Sequence, residues 1–143
     1  MKLHVINTTR GLLVPETDED YEKKGTLKIG ETYSVEVRLV RNPEFHRKYF
    51  AMLNCAWSCL PEKVQDGFKS RENFRKYVQI AAGFSEPFFH PKAGFIEFPK
   101  SISFESMDNI EFEDLYKRVR NVIDGIVSKY ITAERFEETL MNF

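Results

Sequence analysis

The sequence predicts a single α+β domain, residues 1–143, in which a small, mainly antiparallel sheet carries helices on one face. Three observations lead there. Capped segments repeat apolar residues every three and four positions, short period-two runs lie between them, and Gly and Pro punctuate the joints. At 143 residues, 42% apolar and 30% charged, the chain is long enough to bury roughly two-thirds of its unfolded surface without a metal or disulfide.

The elements follow in chain order. Residues 2–8 alternate weakly and read as a strand, continued after a turn by residues 11–15. Thr17-Asp18-Glu19-Asp20 has the form of a capping box with Asp in the Glu position, opening a short helix through Lys24 that Gly25 ends. Its acidic run, residues 16–22, suits the positive end of a helix and needs no divalent ion to explain it. From Thr32 to Arg41, the residues Tyr33, Val35, Val37 and Leu39 alternate with Ser34, Glu36 and Arg38, the pattern of a half-buried strand.

Asn42 can then cap a helix, Pro43 suits its first position, and Glu44 favours the positive dipole end. The helix runs from Pro43 to about Leu60, burying Phe45, Tyr49, Met52, Leu53, Ala56 and Leu60, until Pro61 stops it. Ser70 caps a helix over residues 71–82, with Phe74, Tyr77, Val78, Ala81 and Ala82 on one stripe and Arg71, Arg75 and Gln79 on another; Gly83 ends it. Residues 86–104 read as two strands around a Lys92-Ala93-Gly94 turn, with Pro87, Pro91 and Pro99 marking edge positions. The clearest periodicity runs from Phe112 through Leu115, Val119, Ile123 and Val127 to Tyr130, a helix in which Gly125 would allow close packing. Thr132 caps a last helix, Ala133–Met141.

Chemical signatures are sparse. Cys55 and Cys59 lie four apart on a helix, an awkward geometry for a disulfide and without a second Cys/His pair for zinc, so free buried or half-buried thiols are expected. His4, His46 and His90 sit in no metal-protease motif, and neither a phosphate loop nor a nucleophile elbow occurs. The expectation is a non-enzymatic protein with no catalytic residue, cofactor or metal. The start of the chain has no apolar signal region, and no stretch approaches a membrane span; a cytoplasmic protein without membrane contact is expected.

Charge is more telling in its distribution than in its total of −1. Residues 1–31 hold 5 basic and 6 acidic groups, residues 32–104 hold 11 and 7, and residues 105–143 hold 5 and 9. In the basic middle, two segments interleave cations with aromatic rings: Arg41/Phe45/His46/Arg47/Lys48/Tyr49/Phe50 and Phe68/Lys69/Arg71/Phe74/Arg75/Lys76/Tyr77. Cations at the start of the helix at Pro43 oppose the macrodipole, which points to an anion as their purpose. Single-stranded nucleic acid supplies both phosphates for the cations and bases to stack on rings. The candidate contacts are Arg38, Arg41, His46, Arg47, Lys48, Arg71, Arg75 and Lys76. The plainer reading puts the rings in the core and leaves the cations as a solvated face.

The stretch from Arg41 to Leu53, and that from Lys100 to Asp108 continuing through Glu111-Phe112 to Leu115-Tyr116-Lys117, resemble the two signature blocks of a phage and prophage family known as domain of unknown function 1367. The family's middle region is usually longer, and its last helix usually carries a Trp-containing apolar run where this chain has Asn121-Val122-Ile123-Asp124-Gly125-Ile126. The pattern of Arg then Asn, followed by Arg-Lys and an aromatic, is also similar to the NinB (Orf) recombination proteins of lambdoid phages, over about a fifth of the chain. That resemblance implies a homodimer that binds single-stranded DNA and helps load a recombinase, with Arg41, Arg47 and Lys48 on phosphate and Phe45 or Tyr49 stacking or buttressing.

The leading expectation is thus a phage-derived accessory protein of DNA recombination or replication. A rival is a protein-interaction module that docks a host recombination, nuclease or defence protein through the acidic residues 105–143. A third is a metal-dependent nuclease built on carboxylates such as Glu97, Glu105 and Asp108.

Overall fold

Strand pairing and helix capping in the computed structural model, which describes residues 1–104 and 106–143, give an α+β architecture. The elements are β1 (Val5–Asn7), β2 (Leu13–Pro15), α1 (Asp18–Gly25), α2 (Pro43–Ser58), α3 (Glu62–Phe68), α4 (Arg71–Ala81), β3 (Ser85–His90), β4 (Gly94–Pro99), α5 (Asn109–Val127) and α6 (Ala133–Met141). The strands form two separate antiparallel pairs, β1–β2 and β3–β4. Two compact units are distinguishable, Met1–Val37 and Arg38–Phe143.

In the first unit, β1 and β2 pair with Ile6 opposite Val14, and the Thr8 hydroxyl donates to the Leu12 carbonyl at 3.0 Å across the turn. Thr17 caps α1 as expected: it accepts from the Asp20 N–H at 3.2 Å, and its hydroxyl donates to the Asp20 carboxylate at 2.8 Å. That donated bond is the main reason the buried Asp20 carboxyl titrates below the usual carboxylate range.

The strand expected over residues 32–41 does not form. Tyr33, Val35, Val37 and Leu39 are 46%, 73%, 69% and 58% exposed, not half-buried. Alternation says that a segment fits a pleated surface; a strand also needs a ladder partner, and each described strand pairs only with its own hairpin mate.

The second unit is held by α2, α4, α5 and α6. Asn42 caps α2, accepting from the Glu44 N–H at 2.9 Å, and the helix buries Tyr49, Met52, Leu53, Cys55 and Ala56. Phe112, Leu115, Val119, Ile123 and Val127 form the buried stripe of α5, and Phe112 meets Phe45 and Tyr49 in edge-to-face contacts, each 5.3 Å between ring centres. Arg120 fastens α6: it pairs with Asp124 at 2.9 Å and with Glu137, while its guanidinium lies 5.1 Å from the Phe136 ring. Cys55 is buried and Cys59 half-buried, both free; burial pushes the Cys55 thiol up to about 11. A Cβ at Gly125 would meet nothing within 4 Å, so the close packing expected there is absent.

Helix α3 has no counterpart among the expected elements. It is one short segment after Pro61 without a side-chain cap, secured by the Gln65 amide donating to the Trp57 carbonyl at 2.8 Å. On α4 the inward stripe is rotated from the expected one. Tyr77 is 51% exposed and Gln79 is fully buried, its amide donating to the carbonyls of Phe84 at 3.1 Å and Lys100 at 2.7 Å. The ability to fix two backbone carbonyls outweighs the apolar character of a ring at this position. Gln79 thereby pins both legs of the β3–β4 hairpin to α4.

The hairpin turns at Gly94, whose φ of 76° only glycine adopts freely. The Lys100 N–H donates across to the Phe84 carbonyl at 3.0 Å. Counting from that bond in steps of two, Glu86↔Phe98 and Phe88↔Ile96 bond across, whereas Pro87 and Pro99 turn their nitrogens outward. The prolines therefore cost no ladder bond and blunt both open edges, the edge role expected of them.

Candidate nucleic-acid interface

Arg41 occupies the position before the α2 cap, and His46 is the fourth residue inside the helix. This is the spacing at which an apolar pair usually staples a helix start. Here an Arg–His pair does so. Arg41 is 3% exposed. Its guanidinium donates to the Ile102 carbonyl, to the Ser103 carbonyl at 3.2 Å and to His46 Nδ1. It also lies 3.9 Å from the Phe112 ring centre and 4.4 Å from that of Phe104. The His46 ring stacks on Phe104 at 5.0 Å and Phe112 at 5.8 Å. The clasp ties the start of α2 to the segment ahead of α5, joining the two sequence blocks singled out above.

This placement corrects the role expected of Arg41. Its charge is spent on carbonyls and rings inside the protein, and a guanidinium so enclosed has no face left for phosphate. Phe45 and Tyr49, expected to stack or buttress, face inward. Tyr49 is fully buried, and burial raises its phenol above the ordinary range.

His46 must be neutral to accept from Arg41. Burial, and then the Arg41 charge, lower its pKa from 6.5. A depressed folded value means that the clasp's contribution is complete above the unfolded pKa of 6.5 and is lost as pH falls through the folded one. Urea midpoints between about pH 7.5 and about pH 5 are expected to fall on acidification, and His46→Gln to flatten that slope. An identical slope in the variant would remove His46 from the account.

The remaining expected contacts have different immediate partners. Lys48 turns toward α5, 5.4 Å from the Tyr116 ring centre, in an open cleft of about 350 Å³ that it shares with Glu44 and Glu113. Two carboxylates beside one ammonium make that cleft a poor phosphate site. Arg71 lies on the α2 side of α4, donating to Asn54 at 3.2 Å. Arg75 is paired with Glu72, which raises its pKa, and its side chain is 20% exposed. Arg38, Arg47 and Lys76 are exposed. Of the carboxylates weighed for a metal, Glu97 accepts from the Ser85 hydroxyl at 2.8 Å and Asp108 caps α5 at 2.9 Å; Glu105 lies outside the described residues.

Four exposed Phe rings are on the hairpin, where no site residue was expected. Phe88 and Phe98 lie on one face, 5.5 Å apart between ring centres, and are 54% and 52% exposed. Phe89 and Phe95 form a directly opposed pair on the other face, also 5.5 Å apart, and are 60% and 77% exposed. The sequence signal was present: the run of Phe at 88, 89, 95 and 98 exceeds what a two-stranded ribbon can bury. Residues 69–100, α4 and the hairpin together, hold six cations against three carboxylates.

The arrangement defines a small α+β protein with a clasped helical core and an aromatic hairpin held on α4 by a buried Gln. The family described as "Protein of unknown function (DUF1367)" matches it over residues 1–61 and 58–142, and the chain belongs to that family. No curated protein and no solved structure matches the chain. Among the described residues no helix is long and apolar enough to cross a membrane.

Proposed function

We propose that the chain is a non-enzymatic, phage-derived accessory protein of DNA recombination or replication that binds single-stranded nucleic acid. The observation that carries this reading is the hairpin: four half-exposed or more exposed Phe rings on a segment, residues 69–100, with twice as many cations as carboxylates. Bases stack on such rings without regard to sequence, and Lys76, Lys92, Lys100 and Arg71 can follow the backbone. The similarity of its first block to NinB proteins supports the same reading. The site differs from the expected one in its centre of gravity, which moves from the start of α2 to α4 and the hairpin.

The rival reading draws on acidity in residues 105–143, but Asp114 is paired with Arg118, and Asp124 and Glu137 with Arg120, so three of its nine carboxylates already have partners within the chain. Fluorescence anisotropy with a labelled oligonucleotide at about 50 and 200 mM salt separates the two. Binding that falls steeply with salt and shows little sequence preference is the expected result; no binding at the lower salt overturns it.

A further inference from the structure

We infer that the β3–β4 hairpin is a wedge for the junction between duplex and single-stranded nucleic acid, with one unpaired strand on each of its faces. The inference rests on the nucleic-acid reading above and names the substrate class of the same site. Residues 86–93 and 95–98 are all exposed, so beyond its base the ribbon meets water on both faces. It is nevertheless fastened at both ends. At the base, Gln79 fixes the Phe84 and Lys100 carbonyls, and the Lys100 N–H donates to the Phe84 carbonyl. At the tip, His90 Nδ1 accepts from the N–H groups of Lys92 and Ala93, each at 3.2 Å, which closes the turn.

The distribution of the rings selects the occupant. Phe88 and Phe98 share one face, Phe89 and Phe95 the other, and each ring is more than half exposed. A single strand stacks along one face and leaves the opposite pair in water, whereas two strands diverging from a duplex cover both. Pro87 and Pro99 present no N–H to the open edges, which disfavours a partner that adds a strand and leaves the faces for recognition. Charge suits the same occupant. Each face carries one carboxylate, Glu86 or Glu97, while Lys92 lies in the turn, where the strands part, and Lys76 and Lys100 are exposed on α4 and after β4.

Fluorescence anisotropy at low salt should compare three probes: a fork with two oligothymidylate arms, a free oligothymidylate and a blunt duplex. The fork is expected to bind about tenfold tighter than either of the others, because the second face adds at least one stacked base. Phe88→Ala with Phe98→Ala, and Phe89→Ala with Phe95→Ala, should each weaken fork binding about tenfold or more. With the wild-type protein, 2-aminopurine placed at the first unpaired position should change its fluorescence on binding in either arm of the fork. A fork held no tighter than the free oligothymidylate overturns the wedge and leaves single-strand binding standing, and binding to none of the probes removes both. Full fork affinity in either double variant, a duplex bound as tightly as the fork, or a fluorescence change in one arm only would also overturn the wedge.

Discussion

Arg41→Ala is expected to destabilise the protein by about 3 kcal/mol, a large share of the roughly 5–15 kcal/mol that keeps a domain folded. The substitution strips the Ile102 and Ser103 carbonyls of a charged donor and empties the space between Phe104 and Phe112. Hydrogen bonds to a charged group contribute about 1.5–3 kcal/mol each, and a desolvated cation–π contact about 2. Against these stands the cost of enclosing the guanidinium, whose Nε has no partner, which is why the net falls well below the sum. Urea unfolding should show a lower midpoint with an unchanged slope. A loss below about 0.5 kcal/mol, the level of an ordinary surface substitution, would contradict the clasp. Arg41→Lys should recover only part of the loss, because an ammonium cannot span two carbonyls and the imidazole in the fork geometry of a guanidinium.

Removing the hairpin rings should act on binding and spare stability. Phe95→Ala is expected to weaken oligonucleotide binding about tenfold, and Phe89→Ala with Phe95→Ala about a hundredfold, since each stacked base contributes about 1–3 kcal/mol. At 60% and 77% exposure the two rings add little to the core, so melting temperatures should stay close to that of the wild type. The same measurement on Phe88→Ala with Phe98→Ala shows which face carries the strand. Unchanged affinity in both double variants would remove the hairpin from the interface. Charge reversal at Lys48, beside Glu44 and Glu113, should have a smaller effect than reversal at Lys76.

Much of this architecture was legible in the residues. Caps at Thr17, Asn42, Ser70 and Thr132 each accept the expected backbone N–H, because a side-chain oxygen at a helix start is a local solution that tertiary packing rarely overrides. The α5 stripe was equally plain, a long apolar period with one solution. Residues 32–41 alternate without forming a strand because alternation reports only one half of a pairing, and the other half is a property of three-dimensional neighbours. Gln79 and Tyr77 exchanged places for a comparable reason: burial of the amide depends on two carbonyls, at Phe84 and Lys100, that no helical pattern displays.

The candidate site was half legible. Cations opposing the α2 dipole are anomalous by sequence, and for Arg41 and His46 the anomaly has an internal answer: His46 accepts from Arg41 as a neutral ring, and Arg41 spreads its charge over carbonyls and rings. The spacing of Arg41 and His46, one residue before the cap and four beyond it, was the available clue to that answer. Four rings that face water lie on the hairpin, where strand patterning alone would place half of them inward. A two-stranded ribbon has no second layer to receive them.

Titration of ¹⁵N-labelled protein with a short oligothymidylate, followed through backbone amide shifts at low salt, tests the central claim most directly. Shifts concentrated in residues 69–77 and 85–99, with α6 unaffected, are the predicted result. Shifts confined to α5 and α6, or none at all, would contradict it.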